Sequence, residues 1–526
     1  EGYATFVEGR VTGSGRPHAA WRAALLREWA LEGQLPRYQE LDASGAYEGG
    51  SYAYLVGSAF LEWLAASHGD SSLVDVWRRL SAKQNRTFAE AFTGVYGDAP
   101  ATLYGRFSAE LSGKAVAVAR AMADAGADTG EIVQRLTRST GDPAISADGQ
   151  RAALVLRSAT MPSRVVVWRT APEPDTLKRR RDSLLVAADP EDVPSRPIFP
   201  PAKRQLASLR SKGGAPYESP RFLRDGRLLL SRPTPRGDGS LVSDLYVWNW
   251  REGGVRRVTH DESLHDADPL PDGRRAVATQ CRGGWCGLVL VALDDGAVTP
   301  ILPGTREHSF YRPRASASGA SALVSVHSSG RWRLATVSLQ SHAMSPIDAR
   351  DSVVRYDAAW LGPDEIVTTA ELGGIANLER LNLRTLEGRQ LSAVTGAAVA
   401  SEPNPVDGSV WFLSLSAHGY DVRRLTRAQV AAGVAASRAI AGVQSAPAVS
   451  PAPTETRSFG QNAVSQERRY ALAPRSFRWI PRPSLDADAI SGGLSLVSRD
   501  VVGLSELTAN LAYGDHASWR GVTVTG

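Results

Sequence analysis

The chain contains 526 residues, of which 43% are hydrophobic and 22% are charged. Because domains usually comprise about 100–200 residues, this length predicts several domains, and the composition excludes an intrinsically disordered, collagen-like or disulfide-dense protein. Lysine and arginine number 60 against 55 acidic residues, and the net charge of +5 is too small for so long a chain to predict a nucleic-acid partner. No window of about 20 residues is apolar enough to predict a transmembrane helix.

Residues 1–126 carry the pattern of an all-α segment. Apolar side chains recur at helical spacing, as at Tyr54, Leu61 and Leu64, between short breaks that contain glycine or proline. Further helices are predicted over residues 72–80, 87–95 and 100–125, the last with proline at its first helical position, where proline is well tolerated.

A repeat begins near residue 130, where the apolar period changes to two. Each copy is a turn, usually Asp-Gly, followed by apolar strands, and six copies follow one another as far as residue 408. Successive glycines Gly226, Gly273 and Gly319 are 47 and 46 residues apart, which is enough for four strands. Because one such sheet cannot bury both of its faces, we predict an all-β propeller of about six four-stranded blades over residues 127–427.

The first interval of this repeat is longer than the others. Gly149 and Gly226 are 77 residues apart, which predicts an insertion, assigned to residues 171–215. The insertion contains the basic run 178–181, which could be a site for an acidic partner or a solvated loop. Charge runs are usually only solvated, so the loop is the preferred interpretation.

The chain after the propeller is predicted to contain a linker and a short β segment. Residues 428–483 are rich in alanine and proline, as linkers often are. In residues 484–526, apolar and polar side chains alternate over two strands joined at 514–518. This pattern fits the first strands of an outer-membrane β-barrel, with apolar side chains outward, and it also fits any half-exposed hairpin.

Two cysteines, Cys281 and Cys286, bracket a four-residue loop between two β runs. Opposed residues of a hairpin can meet disulfide geometry, so a bridge is predicted, with free buried thiols as the alternative. Two sulfurs without a neighbouring histidine do not indicate a metal site. The tryptophans of the repeats, Trp332 among them, are interpreted as blade-packing residues rather than a ligand cage.

Two segments of the helical region resemble gluzincin metallopeptidases. The chain begins Glu-Gly-Tyr-Ala, similar to the family's segment that supplies the third zinc ligand, and residues 54–57 read Tyr-Leu-Val-Gly, similar to its Tyr-x-x-Gly helix. The resemblance covers about 110 residues and implies that Glu1 is a zinc ligand and that the Tyr54 hydroxyl stabilises the oxyanion of a tetrahedral intermediate. Without the family, Glu1 would be interpreted as a surface carboxylate and Tyr54 as a core aromatic residue.

The sequence departs from this family at its central motif. None of the nine histidines belongs to a His-Glu-x-x-His motif, so the chain contains one candidate zinc ligand, and no general base of that motif. We therefore expect this chain by itself neither to hold catalytic zinc nor to hydrolyse peptides. Either the missing helix precedes Glu1 in a longer parent protein, which is the preferred interpretation, or the domain is a degenerate relic.

The repeat resembles the TolB-type propellers, most clearly at residues 143–149 and 220–226, whereas the copies at Ser316 and Trp360 depart from the pattern. This resemblance implies a peptide or protein ligand and a location in the bacterial periplasm or outer membrane. The combined hypothesis is a fragment of an envelope zinc metallopeptidase-like protein whose propeller gates or presents peptides. The alternative is a non-catalytic envelope protein whose propeller recruits a protein partner. A serine hydrolase is not supported, because no Gly-x-Ser-x-Gly motif occurs.

Overall fold

The chain divides into two compact units, Glu1–Ala448 and Val449–Gly526. The computed structural model describes residues 2–13, 15–42, 49–124, 128–135, 141–157, 162–172, 176–193, 200, 203–211, 215–235, 241–328, 330–348, 352–434, 478–486, 489–499, 506–514 and 521–525.

The first unit begins with a helical region. Its helices are α1 (Gly2–Thr12), α2 (Ala20–Leu31), α3 (Gly49–Tyr52), α4 (Ser58–His68), α5 (Ser71–Leu80), α6 (Phe88–Tyr96) and α7 (Pro100–Asp124). Short 3₁₀ turns lie at Arg16–His18 and Tyr38–Asp42, and a π-helical turn, Ala53–Gly57, joins α3 to α4. None of the helices within the described ranges is both long and apolar enough to cross a membrane.

The helical region has an aromatic core around Phe60 of α4. Its ring lies 6.4 Å from that of Phe92 on α6 and 5.4 Å from that of Tyr104 on α7, measured between ring centroids. Helix α6 begins where it does because Thr87 and Glu90 form a capping box, in which each side chain binds the other residue's backbone N–H. The predicted all-α segment is confirmed.

A strand β1 (Glu131–Gln134) follows α7, and the chain then builds the first three blades. Blade 1 contains β2 (Ala144–Ile145), β3 (Arg151–Leu156), β4 (Arg164–Pro172) and β5 (Lys203–Arg210). Blade 2 contains β6 (Glu218–Phe222), β7 (Leu228–Pro235), β8 (Leu241–Asn249) and β9 (Gly254–Arg257). Blade 3 contains β10 (Leu264–Pro269), β11 (Arg275–Arg282), β12 (Trp285–Ala292) and β13 (Val298–Leu302).

The remaining three blades complete the predicted propeller. Blade 4 contains β14 (Ser309–Ala315), β15 (Ser321–Ser328), β16 (Arg331–Ser338) and β17 (Met344–Ile347). Blade 5 contains β18 (Arg355–Gly362), β19 (Glu365–Leu372), β20 (Ile375–Asn382) and β21 (Gly388–Gln390). Blade 6 contains β22 (Ala398–Pro403), β23 (Val410–Ser416), β24 (Gly419–Leu425) and, as its fourth strand, β1.

The ring is closed by strand β1, which the repeat pattern did not predict. β1 pairs antiparallel with β24, so that Glu131 lies opposite Arg424 and Ile132 opposite Arg423. The last blade is therefore assembled from both ends of the propeller sequence. Closure by pairing the first strand with the last blade removes two exposed sheet edges.

The first strand of each blade lines the central channel, since side chains of these strands contact one another across the ring. Five of them, β6, β10, β14, β18 and β22, contain an irregularity in their pairing with the next strand. A non-glycine residue with φ between 48° and 56° lies in each: Ser219, Asp266, Arg312, Asp357 and Ala400. A bulge of this kind turns neighbouring side chains toward a common point, here the channel.

The helical region docks on one face of the propeller. The Nη2 of Arg27 donates to the carbonyl of Gly396 at 3.2 Å, and the indole N–H of Trp29 donates to the carbonyl of Ala417 at 3.2 Å. The backbone N–H of Ala417 donates to the carboxylate of Glu32 at 3.0 Å. Ala417 lies in the hairpin between β23 and β24, the second and third strands of blade 6. Helix α2 therefore covers the face of the propeller on which these second-to-third-strand hairpins lie. We call it the helix-bearing face.

The predicted insertion and linker contain regular elements. Residues 176–188 of the insertion form α8 (Thr176–Ala188), and its arginines are exposed. The basic run is therefore exposed to solvent, as predicted, but it is a helix and not a loop. The insertion also includes β5, the fourth strand of blade 1. Within the predicted linker, α9 (Arg427–Ala432) begins directly after β24, and residues 435–477 lie outside the described residues.

The second unit is a four-stranded antiparallel sheet. Its strands are β25 (Arg478–Asp486), β26 (Ala489–Arg499), β27 (Glu506–Gly514) and β28 (Gly521–Thr525), paired in sequence order. The register places Leu494 opposite Leu511 and Ser495 opposite Asn510. The short β segment predicted at this end is thus confirmed.

Candidate functional site

The two segments that resemble gluzincin peptidases lie against each other. Gly2, at the start of α1, packs on the π-helical turn, so closely that a Cβ on Gly2 would lie 2.8 Å from the carbonyl oxygen of Ala53 and 3.1 Å from the carbonyl carbon of Gly57. These distances are shorter than a methyl group tolerates, so glycine is required at position 2 for α1 to approach the turn. Glu1 lies outside the described residues.

Tyr54 lies on this π-helical turn and is half-buried. The guanidinium carbon of Arg16 lies 4.9 Å from the centroid of the Tyr54 ring, a cation–π arrangement. The hydroxyl of Ser58 donates to the Tyr54 carbonyl, which the π-helical geometry leaves available. Single π-helical turns within α-helices often occur at functional sites.

A buried arginine fixes the position of this turn. The Nε of Arg22, on α2, donates to the carbonyl of Leu55 at 3.1 Å, and its Nη2 donates to the hydroxyl of Ser58 at 2.9 Å. The same guanidinium forms an ion pair with Glu62 at 3.1 Å. Helix α2 therefore holds the Tyr54 turn with one residue while it contacts the propeller with others.

The residues present do not fit a catalytic zinc ion. Such a site needs three protein ligands, and the sequence offers Glu1 without the two histidines of the motif. Among the described residues, no group of three His, Cys, Asp or Glu side chains is placed to hold a metal. No chemical step through zinc can be derived for this chain.

The centre of the propeller contains a network of ion pairs. Arg221 of blade 2 contacts Glu402 of blade 6 at 2.8 Å and Asp268 of blade 3 at 3.5 Å. Arg314 of blade 4 also forms an ion pair with Glu402. The network therefore spans the channel and links blades that are not neighbours in the ring.

Arg312 joins a second set of blades. Its guanidinium contacts Asp142, at the start of blade 1, at 2.5 Å, and Asp357 of blade 5 at 2.7 Å. Both carboxylates are mostly buried, with 20% and 11% of their side chains exposed. Buried acids of this kind persist only when they are paired and hydrogen-bonded.

The acids of the network also bind the backbone of the next blade. The Asp268 carboxylate accepts from the N–H of Ala315 at 2.8 Å, and Asp357 accepts from the N–H of Ala400 at 2.6 Å. Glu402 accepts from the N–H of Ile145 at 3.3 Å across the closing junction. These bonds make the network a structural connection between blades.

Burial perturbs the pKa values of these acids in different directions. Burial raises the pKa of Asp268 to about 6, since Arg221 compensates for it only in part. Burial likewise raises the pKa values of Asp357 and Glu402. At Asp142, burial acts to raise the pKa, but the guanidinium groups led by Arg312 outweigh it and hold the pKa below its ordinary value.

Sequence reasoning missed this network, although a signal was present. An acidic residue stands directly before proline in three of the repeats, at Asp142, Asp268 and Glu402. The motif was interpreted only as a turn, because proline and glycine dominate its composition. Each of these acids forms an ion pair with an arginine of another blade. A local sequence pattern cannot identify such a distant partner.

A group of aromatic side chains lies on the helix-bearing face between blades 4 and 5. The ring of Trp332 lies 5.3 Å from that of Tyr311, 5.0 Å from that of His327 and 6.1 Å from that of Tyr356, between centroids. We call these four residues the aromatic mouth. All four are half-buried, in contrast to Trp248 of blade 2, which is 2% exposed.

Cys281 and Cys286 lie directly opposite each other on β11 and β12 and form a disulfide. The loop between them is shorter than the predicted four residues, because Arg282 and Trp285 still pair as strand residues. The remaining turn is Gly283-Gly284, in which both residues have positive φ, as a two-residue hairpin turn requires.

These features define a class of protein: a closed six-bladed β-propeller with a helical region docked on one face. No family model matches the sequence, and no curated protein does. Among solved structures, a TolB of Agrobacterium tumefaciens is 12% identical, with a TM-score of 0.35 over 60% of this chain and 86% of its own.

Two further solved structures have a similar relation to the chain. TolB of Acinetobacter baumannii is 14% identical, with a TM-score of 0.34 over 58% of this chain and 73% of its own. The β-propeller domain of the Trilobed protease of Pyrococcus furiosus is 11% identical, with a TM-score of 0.35 over 55% of this chain and 95% of its own.

Proposed function

We propose that this chain binds peptides or extended protein segments beside Tyr54, as the propeller-bearing part of a zinc metallopeptidase-like protein of the bacterial envelope. The contact of Gly2 with the turn at Gly57 carries the proposal, because it joins the two gluzincin-like segments. Glu1 would be one zinc ligand in the parent protein. The Tyr54 hydroxyl, a neutral donor, would bind the carbonyl oxygen of the peptide that is attacked.

The coding sequence upstream of Glu1 gives the first test, since a His-Glu-x-x-His motif there supports the peptidase and its absence contradicts it. In a protein that carries the motif, Tyr54→Phe removes one oxyanion donor and should lower kcat by about 10²-fold with little change in KM. Tyr96→Phe is the matched control, because the Tyr96 hydroxyl contacts Ser72 instead, at 3.1 Å. Unchanged turnover in Tyr54→Phe would remove Tyr54 from this role.

A second candidate function is a non-catalytic envelope protein whose propeller recruits a protein partner. The guanidinium of Arg16 over the Tyr54 ring favours it, since a cation of the chain itself already covers one face of that ring. Under this hypothesis, peptides bind to the chain and its parent protein without being cleaved. Binding accompanied by cleavage contradicts it, and mass spectrometry of the recovered peptide distinguishes the two cases.

Two observations support an envelope location. The disulfide Cys281–Cys286 is typical of an oxidising compartment such as the periplasm. In the second unit, Leu511 is 52% exposed and Val524 66% exposed, whereas the polar Ser495 is 1% exposed. A sheet with apolar side chains outward and polar ones inward is typical of contact with lipid, so we propose that this unit meets the outer membrane.

A further inference from the structure

The aromatic mouth interrupts the apolar packing between blades 4 and 5. Leu323 and Leu334 fill this interface in the middle of the blades. Toward the helix-bearing face, His327 and Trp332 lie opposite each other on the same side of blade 4 as Leu334. At the rim of the interface between blades 4 and 5, half-buried aromatic side chains with polar groups thus take the place of the buried aliphatic side chains found in its middle.

A carboxylate lies beside these rings. Tyr356 on β18 is paired with Thr369 on β19, so Glu371, two residues further along β19, is a diagonal neighbour of Tyr356 on the same face of the sheet. Glu371 is half-buried, and burial raises its pKa. The pKa of Tyr356 is raised as well, first by burial and then by the charge of Glu371, which is consistent with this proximity.

The negative charge of Glu371 has no counter-ion in the part of the chain that the structure describes. Arg312, which follows Tyr311 of the mouth, is already paired with Asp142 and Asp357. Arg355, which precedes Tyr356, is paired with Glu379 at 2.6 Å. Arg331 and Arg333, which flank Trp332, are exposed and lie on the opposite face of β16, because side chains alternate along a strand. Within the described residues, the charge of Glu371 is therefore not neutralised by an ion pair.

We propose that the aromatic mouth and Glu371 bind the cationic side chain of an arginine or lysine in an extended peptide. A cation is attracted to the faces of tryptophan and tyrosine rings, and a guanidinium can also stack flat on them. Glu371 supplies the opposite charge. The inference rests on the proposed peptide-binding function and assigns its preferred ligand.

Helix α2 connects the helix-bearing face of the propeller to the Tyr54 turn. Trp29, near its end, donates to the Ala417 carbonyl of blade 6 at 3.2 Å, and Arg22, near its start, donates to the Leu55 carbonyl of the Tyr54 turn at 3.1 Å. The aromatic mouth opens on the same face of the propeller as the helical region that carries Tyr54.

The test is equilibrium binding of N-acetylated pentapeptide amides to the 526-residue chain, by calorimetry and tryptophan fluorescence. The peptides have alanine around a central arginine, lysine, citrulline or glutamate. The arginine peptide should bind about tenfold more tightly than the citrulline peptide. Glu371→Gln and Trp332→Leu should abolish that difference, whereas the exposed controls Glu307→Gln and Trp285→Leu should retain it.

The outcomes separate this inference from the function on which it rests. Equal affinity for arginine and citrulline peptides overturns the inference and leaves peptide binding intact. If no peptide binds, but N-acetyl-arginine amide alone binds in a Glu371-dependent way, the cation site stands and peptide binding fails. If an all-alanine peptide with a free amino terminus binds as tightly as the arginine peptide, the mouth binds an amino terminus and not a basic side chain, and the inference is overturned. Should Trp332→Leu fail to fold, Trp332→Phe, with a weaker π face, should show an intermediate difference.

Discussion

Asp268 illustrates what one buried residue contributes to this propeller. Its carboxylate accepts a backbone hydrogen bond from blade 4 and contacts Arg221 of blade 2, yet burial raises its pKa to about 6. In an unfolded chain the same carboxyl releases its proton near pH 4. Between these two pH values the native propeller retains a proton that the unfolded chain has lost.

This difference predicts a pH-dependent stability. The contribution of Asp268 is fully present below about pH 4 and is lost as the pH rises through about 6, so the free energy of unfolding should fall by about 2 kcal/mol over that window. Asp268→Asn should reduce the decrease in calorimetric Tm between pH 4.5 and 7. The exposed Asp294→Asn serves as control and should keep the full decrease. A decrease of equal size in Asp268→Asn contradicts the assignment.

At the scale of elements, the docking of α2 depends on a few buried polar contacts. Trp29 is 5% exposed, and its indole N–H satisfies the Ala417 carbonyl at the tip of blade 6. A buried carbonyl that loses its donor costs about 1–3 kcal/mol. The helical region and the propeller are therefore coupled through bonds that a single substitution can remove.

Trp29→Phe should loosen this docking while it leaves the blades folded. Amide hydrogen exchange in α2 and in the hairpin between β23 and β24 should become faster by about tenfold or more, corresponding to the lost hydrogen bond. Trp77→Phe, at a position 47% exposed, is the control and should leave exchange in both elements unchanged. Slow exchange in Trp29→Phe would indicate that apolar contacts alone hold the helix.

The elements also determine how much could be predicted from the sequence. The regular spacing of Gly226, Gly273 and Gly319 predicted the blades, because each blade repeats the same local turn and strand chemistry. Strand β1 has only four residues and lies outside the repeat, and its partner is remote, so no local pattern indicated it. The same reason applies to the aromatic mouth. Trp332 and Tyr356 belong to different blades, so their proximity is not visible in the sequence, and Trp332 by itself resembles a packing residue.

At the scale of the whole molecule, the second unit should govern attachment to lipid. Leu494 and Leu511 are paired on neighbouring strands and are 36% and 52% exposed. The double change Leu494→Ser with Leu511→Ser should weaken partitioning onto phosphatidylethanolamine–phosphatidylglycerol vesicles, measured by flotation, by at least about 100-fold, since each buried leucine contributes about 1.5–3 kcal/mol. Val497→Ser, on the opposite face of the same strand, is the control. Flotation that is unchanged in the double variant contradicts a lipid-facing role.

The closing strand has a consequence for synthesis on the ribosome. Glu131 and Arg424 pair although they are 293 positions apart in the sequence, so β1 emerges long before its partner. At about 5–20 residues per second, translation of that interval takes about 15–60 s, during which the last blade does not exist. Throughout this time a nascent chain exposes the unpaired edge of β1 together with an unfinished ring. We expect this period to be the one in which the protein most needs a chaperone, and a stalled chain that ends before β24 to be degraded rather than folded.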